Sequence, residues 1–475
     1  MSDHTAAGSP TDADRAKTHF YFMGICGTAM GAVASALKVK GFRVSGSDAK
    51  VYPPMSTFLR EQGIVLTEGY NAANIPADAD YIVVGNALGR GNPEVEEVLT
   101  RRLRYRSLPE TLKEFHLQGR HNYVVCGTHG KTTTTSMLAW MLECAGLAPD
   151  FMIGGLPENF GRGGRLQGSD YVVLEGDEYD TAFFDKRSKF VHYLPEVALV
   201  NNIEFDHADI FDNLEAIIKS FSHMVRLVPS NGLIIVNGDD KNIEKVIASE
   251  AHAPVKKVGF GEHCDVRITG VAYHGEVTSF VLDGEAFSVK MPGEFNIRNA
   301  AMAATAALHA GITAEQIRRA LESFAGVRRR QQVRGTTGRG VTVVDDFGHH
   351  PTAIRQAIEA LRHRFPGRRL WAAFEPRSNT TRRKVFQHEL PAALALADGV
   401  CVSAVENAAK VPEDDRLDPA AVMEELRSLG RPAFYESGAD AIVERLKQEV
   451  GDGDVVVVFS NGGFDNIHDK LLAAL

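Results

Sequence analysis

A chain of 475 residues is longer than one hydrophobic core usually grows, so roughly two to four domains are expected. Its 44% apolar and 24% charged residues fit a globular protein, and a net charge of −9 excludes a general nucleic-acid or anionic-membrane role. Five scattered cysteines without a CxxC pair point to reduced thiols in the cytosol rather than a disulfide frame, and no apolar run approaches the ~20 residues of a membrane span.

The first residues, Met1 to Lys17, are polar and small and lack an apolar signal region, so residues 1–17 read as a disordered tail. Residues 18–120 open with the strand-like run His19-Phe20-Tyr21-Phe22-Met23, turn at Gly24 to Gly27, and continue into a helix ending near Gly41. A second strand, Phe42 to Gly46, is closed by Ser47-Asp48, which makes a βαβ unit with an acidic residue just past its second strand. Residues 121–326 begin with Tyr123 to Cys126, a Gly-rich loop and a helix from Thr132 to Ala145. Buried-strand runs follow at Tyr171–Leu174, Val197–Val200 and Leu233–Val236. Lys256 to Lys290 reads as short antiparallel strands with turns at His274-Gly275 and Asp283-Gly284, and a helix from Ile297 to Ala310 comes next. After a hinge near Gly326, residues 327–475 alternate helices with strands at Val341–Val344, Arg369–Phe374, Val400–Ser403, Ala433–Tyr435 and Val455–Phe459. The pattern is α/β with mainly parallel sheets, in three domains.

The strongest chemical signal is Gly127-Thr128-His129-Gly130-Lys131-Thr132-Thr133. It follows a strand and opens a helix, where glycines let backbone N–H groups face phosphate oxygens at a positively polarised helix end. Lys131 would meet the β- and γ-phosphates and Thr132 would hold Mg²⁺. The usual loop has a glycine where Val125 stands, so this is a shortened form; the plainer alternative is a threonine-capped helix start. The next strand delivers Glu175 in Glu-Gly-Asp-Glu-Tyr-Asp, either a metal ligand beside the phosphates or part of a solvated acidic loop. His207, in Glu204-Phe-Asp206-His207-Ala-Asp209, is a candidate second ligand or phosphate partner, or a structural histidine.

The run Asp345-Asp346-Phe347-Gly348-His349-His350-Pro351 again loads polar groups at a strand end, and its histidine pair has no third ligand at recognisable zinc spacing. Arg328-Arg329-Arg330 offers guanidinium groups for anions or else a solvated charge run, while Arg377 in Glu-Pro-Arg-Ser-Asn-Thr sits directly after a strand. The turn Gly24-x-x-Gly27-x-x-x-Gly31 lacks dinucleotide spacing because Cys26 takes the place of the second glycine; a uridine or other nucleotide diphosphate suits it better than NAD.

Together these residues resemble the Mur ligase family from about His19 to the end, through GTHGKT, EGDEYD, DHAD, EFNIRNAAMAA and DDFGHHP. The resemblance implies a Rossmann-like UDP-binding domain, a central P-loop ATPase domain and a C-terminal Rossmann-like α/β domain. It also implies a cytoplasmic, ATP- and Mg²⁺-dependent amide ligase. The segments GSDAKVYPPMS, GNALGRGNPEVE, FFDKRSKFVHY, EPRSNT and SNGGFDNIH are most similar to the branch that joins L-alanyl-γ-D-glutamyl-meso-diaminopimelate to UDP-N-acetylmuramate in peptidoglycan recycling. An L-alanine-adding ligase, and a UDP-sugar- or nucleotide-binding regulator without catalysis, are the alternatives.

By the same resemblance, Thr132 and Glu175 would hold one Mg²⁺, and Glu175 and His207 a second. Asn296, Asn299, Arg329 and Asp345 would face the nucleotide, and His349 is a candidate to take the amine's proton. Gly27, Ser47 and Asp48 would lie at the UDP-sugar, and Arg377, Ser378 and Asn379 would recognise peptide carboxylates. The chain departs from the family pattern in having Phe295 where a histidine is usual. Several members carry a carbamylated lysine downstream of the DH histidine; Ser222 stands there, so none is expected.

Overall fold

The alternation of apolar runs and amphipathic stretches resolves, in the computed structural model, into three separate sheets flanked by helices. Residues 12–475 are described. Residues 1–11 of the expected tail lie outside them, and Asp12–Lys17 forms a short helix instead of continuing that tail. Ala, Arg and Lys favour helix there, and the Thr18 N–H and hydroxyl both bind the Asp14 carbonyl.

The first sheet contains β1 (His19–Met23), β2 (Arg43–Asp48), β3 (Val65–Glu68), β4 (Tyr81–Val84) and β5 (Tyr105–Ser107). All are parallel, in the order β3-β2-β1-β4-β5. The order reverses between β1 and β4, so the loops after these strands open a crevice, the usual ligand position of such sheets. Strand β2 runs to Asp48, two residues beyond its expected end, because Ser47 and Asp48 pair with β3.

The central sheet is built from β6 (His121–Cys126), β7 (Asp150–Met152), β8 (Gly164–Arg165), β9 (Tyr171–Glu175), β12 (Val197–Val200), β13 (Leu233–Asn237) and β14 (Val255–Gly259). It is extended by β15 (Val266–His274), β16 (Val277–Leu282) and β17 (Glu285–Val289), while β10 (Asp180–Ala182) and β11 (Asp185–Ser188) form a separate small hairpin. Its order, β17-β16-β15-β14-β13-β12-β6-β9-β7-β8, sets β6 between β12 and β9. The expected antiparallel stretch begins later than Lys256, since β14 pairs in parallel with both β13 and β15. Both hairpin turns are where the sequence puts them. Asp283 and Gly284 both have positive φ (50° and 84°), the two-residue geometry that matches strand twist.

Helix Lys131–Cys144 follows β6 and packs against helix Glu294–His309, which starts three residues before its expected Ile297. The second helix brings Ala300, Ala301, Ala303, Ala304, Ala306 and Ala307 into the core, small residues that allow close approach to Met137, Leu138 and Leu142. Each of the larger side chains contributes about 1.5–3 kcal/mol by burial.

The third sheet has the order β18-β19-β23-β20-β21-β22, from β18 (Gln332–Thr336), β19 (Thr342–Asp346), β20 (Leu370–Phe374), β21 (Gly399–Ser403), β22 (Ala433–Glu436) and β23 (Val455–Phe459). Only β18 runs antiparallel; β19, β20, β21 and β23 are buried along their whole length, while β22 at the edge is partly exposed through Tyr435. The expected hinge at Gly326 has φ +88° and open space where a Cβ would stand, yet its own carbonyl accepts the Glu158 N–H, and the Arg328 N–H donates to the Leu156 carbonyl. Among the described residues no helix is long and apolar enough to cross a membrane.

Candidate active site

Parallel pairing places Val125 of β6 beside Glu175 of β9, and Cys126 beside Val200 of β12. The carboxyl ends of three adjacent strands therefore deliver the Gly127 loop, the Glu175 segment and the Asn201 segment to one place. Gly127 (φ +134°) lies so close to Asn201 and Asn202 that a Cβ would sit 3.0 Å from each. At Gly130 (φ +79°) a Cβ would stand 2.6 Å from the Asn299 side chain. Both glycines are thus required by backbone conformation and by space.

A cavity of about 190 Å³ lies over this loop, lined by Thr128 to Thr133, Glu175, His207, Asn296, Asn299 and His349 among others. In this structure Lys131 is folded back: its ammonium donates to the Gly127 carbonyl (2.7 Å) and the Glu178 carboxylate (2.9 Å). Burial opposes that charge, but Glu178 outweighs it and holds the Lys131 pKa above its ordinary value. His207 shares the same carboxylate, with Nε2 2.8 Å from Glu178 Oε1 and Nδ1 3.0 Å from the Tyr179 hydroxyl. Burial would lower its pKa too, and Glu178 instead raises it. Glu178 therefore joins Lys131 of the loop to His207. The Glu-Gly-Asp-Glu run contained it, but only packing distinguishes it from its acidic neighbours.

The Thr132 hydroxyl donates to Glu175 Oε1 (3.0 Å), and the other Glu175 oxygen accepts from the Gly154 N–H (2.7 Å). Burial raises the Glu175 pKa, the condition of a carboxylate lacking a close counter-charge. Hydroxyl and carboxylate oxygens suit a hard cation such as Mg²⁺, and Glu175 and His207 line the same cavity. For His207 to bind a cation through Nε2, it must release Glu178.

Two residues expected to face the nucleotide stand outside the cavity, and their chain neighbours line it. Asp345 is buried against Arg329, Arg334 and His468, and Arg329 also donates to the Ser460 and Gly462 carbonyls, so neither lines the cavity. Arg330 and Asp346 do. Side chains alternate along β19, so Asp345 and Asp346 point to opposite faces. Arg330 reaches the Thr132 hydroxyl (3.2 Å) and Asp346 accepts the Gln331 and Gly348 N–H groups. Phe295 is on the cavity wall, beside Asn296.

A second cavity, of about 620 Å³, opens between the first and central sheets and is lined by Gly27, Thr28, Asn86, Lys189, Tyr193 and again Glu175. Ser47 does not reach it. Its hydroxyl donates to Glu94 (2.6 Å), a fully buried carboxylate that also accepts from Tyr21, Asn71 and Asn74. Asp48 accepts the Cys26 N–H (2.8 Å) and so braces the glycine turn. In this structure neither lines the cavity: Ser47 bonds behind the turn and Asp48 beneath it.

The third unit closes from the other side. His349 stands 3.5 Å from Asp206, Asn379 donates to Asp209 (2.8 Å), and Thr380 donates to Asp206 (2.7 Å). Arg377 is 2.9 Å from Glu406 and 3.6 Å from Glu375, while Ser378 and Thr381 bond to each other.

Family models match in three consecutive stretches: the Mur ligase family catalytic domain over 19–120, the Mur ligase middle domain over 125–307, and the Mur ligase glutamate ligase domain over 328–462. The UDP-N-acetylmuramate–L-alanyl-γ-D-glutamyl-meso-2,6-diaminoheptandioate ligase of Escherichia coli (strain K12) is 44% identical, covering 96% of this chain and 98% of its own. A UDP-N-acetylmuramate–L-alanine ligase of Geobacter sulfurreducens is 32% identical over 96% of this chain and 97% of its own. The crystal structure of a murein peptide ligase from Psychrobacter arcticus 273-4 superposes with a TM-score of 0.69 at 36% identity, covering 96% of this chain and 98% of that one.

Proposed function

The chain belongs to the Mur ligase family, and from that membership we propose that it joins L-alanyl-γ-D-glutamyl-meso-diaminopimelate to the lactyl carboxylate of UDP-N-acetylmuramate at the expense of ATP. The observation that carries the reading is that Glu175 walls both cavities, so a phosphoryl donor over the Gly127 loop and a carboxylate entering past Gly27 meet at one carboxylate.

In this reading a carboxylate oxygen attacks the γ-phosphorus of ATP, ADP departs, and an acyl phosphate forms. The tripeptide's α-amine then attacks the carbonyl carbon, and the tetrahedral adduct loses phosphate and a proton to leave the amide. Two anions must approach, so charge compensation is the main demand on the site. Mg²⁺ at Thr132 and Glu175, with a second ion shared by Glu175 and His207, would supply part of it. Lys131 supplies more by leaving Glu178 for the phosphates. Arg330 and Asn299 close the nucleotide side, and His349, oriented by Asp206, is the base we assign to the amine. Arg377, Ser378 and Asn379 would take the peptide's carboxylates, with Arg377 exchanging Glu406 for the substrate. We take the working units as 18–120, 121–326 and 327–475. Five unpaired cysteines support a cytoplasmic setting.

An acceptor panel tests the reading: phosphate release with ATP, Mg²⁺ and UDP-N-acetylmuramate, offered L-alanine, dipeptide, tripeptide or tetrapeptide. Robust turnover with tripeptide and little with L-alanine is expected. The reverse would make the chain an L-alanine ligase, and no turnover with any amine would favour a binding regulator.

A further inference from the structure

The second histidine of the His349-His350 pair has partners that no sequence spacing reveals. His350 caps the helix Pro351–Arg364, accepting the Thr352 N–H at Nδ1 (3.2 Å), while its Nε2–H donates to the Phe205 carbonyl (3.2 Å). That pattern fixes the tautomer: Nε2 carries the proton and Nδ1 a lone pair. Yet Nδ1 lies 3.4 Å from Glu204 Oε2, another acceptor. The same Glu204 oxygen is 3.2 Å from His129 Nε2, and the two imidazole centroids are 4.5 Å apart. His129 can donate Nε2–H to that oxygen, but His350 Nδ1 and Glu204 Oε2 are both acceptors, and at 3.4 Å they repel unless a proton or cation lies between them.

We propose that His129, Glu204 and His350 form a binding site for a borderline divalent cation of the zinc class, joining the phosphate loop to the third unit. The three ligand atoms lie within 4.8 Å of one another. Two imidazoles and one carboxylate, leaving a fourth position open, are a zinc-type set and a poor Mg²⁺ set.

The ligands are held in advance. Asn202 accepts the His129 N–H (2.7 Å) through its side chain and returns an N–H to the His129 carbonyl (3.1 Å). Thr128 accepts the Glu204 N–H at 2.9 Å. The Phe205 carbonyl orients the His350 ring, the outer-sphere arrangement metal-bound histidines commonly show, and Phe386 packs edge-on against it (4.5 Å). Coordination through Nδ1 costs the Thr352 bond and leaves the Phe205 bond in place. His129 and His350 both line the nucleotide cavity, so the ion would clamp the third unit onto the loop there. Zinc is accordingly expected to slow turnover without displacing Mg²⁺.

The test is titration of the full chain with Co²⁺, a spectroscopic stand-in for zinc, under excess Mg²⁺. One equivalent with the visible absorption of a four-coordinate nitrogen–oxygen site is expected. Glu204→Gln and His350→Asn should each weaken uptake by about tenfold or more, the asparagine keeping a helix cap. His207→Gln should leave it unchanged, because that residue belongs to the other metal pair. Uptake unchanged in Glu204→Gln or in His350→Asn, uptake abolished in His207→Gln, or no cobalt bound at all would each overturn the site.

Discussion

Thr380 donates its hydroxyl to Asp206 over 2.7 Å, joining the loop after β20 to the segment after β12 with both groups buried. The same Thr380 oxygen lies 3.3 Å from the Ala208 N–H, and His349 reaches the other Asp206 oxygen at 3.5 Å. Asp206 is thus the point where the third unit grips the central one. Burial would raise its pKa, but His349 and its neighbours hold it well below the ordinary carboxylate range. Thr380→Val keeps the shape and removes the donor to a buried charge, so a loss of about 1.5–3 kcal/mol is expected. Thermal unfolding with parallel turnover assays should show a lower midpoint and lower kcat. A variant matching the parent in both would mean the bond contributes nothing to closure.

Acid should destabilise the joint between the first and central units. His116 Nε2 lies 2.9 Å from Asp150 Oδ2, both are buried, and Lys40 and Arg120 face them. Burial, with Lys40 and Arg120, lowers the His116 pKa despite the Asp150 bond. Asp150 is lowered as well: burial raises it, and the His116 bond and the Gln167 and Gly168 N–H groups outweigh that. The pair is therefore a neutral imidazole donating to a carboxylate. A folded His pKa below the unfolded one means the unfolded chain takes up a proton first. Stability should then fall as pH drops below about 6.5, by at most about 1.4 kcal/mol per unit for one proton. Asp150 adds a further loss once pH passes below its unfolded value of 3.8 toward its lower folded one. His116→Gln keeps a donor and removes the first component. Melting midpoints between pH 7 and 5 should flatten in that variant; a slope equal to the parent's would assign the acid sensitivity elsewhere.

Much of this architecture is legible in the sequence because buried parallel strands are apolar on both faces and are bounded by glycine and acidic turns. Leu233–Val236 and Val455–Phe459 need no more than that. The phosphate loop is legible because its glycines, lysine and threonine are contiguous. What escapes is whatever depends on distant segments converging. Glu178 is one of three acidic residues in four, and only the approach of Lys131 and His207 singles it out. That Asp346 and not Asp345 lines the cavity follows from the register of β19. That Arg330 and not Arg329 does follows from the turn before β18, where Arg329 has positive φ and donates to the Ser460 and Gly462 carbonyls. A run of like residues declares neither. His129, Glu204 and His350 belong to three segments far apart in sequence, beyond any spacing rule.

Phe295 is on the nucleotide-cavity wall where family members usually present histidine, and its ring crowds Gly293, where a Cβ would lie 2.9 Å from it. It offers apolar surface and no hydrogen bond. Phe295→His supplies a donor or acceptor to the bound nucleotide, worth about 0.5–1.5 kcal/mol, or roughly two- to tenfold in affinity. The KM for ATP should fall by that factor while the KM for UDP-N-acetylmuramate stays the same. An unchanged or higher ATP KM would show that the phenyl ring's packing is the better solution here.

Arg377 is the residue on which selection of a peptide over a single amino acid should depend most. Its Nη1 lies 2.9 Å from Glu406 and 3.6 Å from Glu375, and its stem passes against Gly462, where a Cβ would meet Nε at 2.2 Å. The guanidinium is therefore aimed by two carboxylates and by a glycine that makes room for it. A lysine retains the charge but loses the planar fork that matches a carboxylate. Arg377→Lys should raise the KM for tripeptide about tenfold to a hundredfold, the loss of a charge-assisted bond worth about 1.5–3 kcal/mol. The KM for ATP should be unaffected, and residual turnover with L-alanine, which has no distal carboxylate, should not fall. Equal losses for both amines would place Arg377 in closure of the site rather than in recognition of the peptide, since closure is required whichever amine attacks.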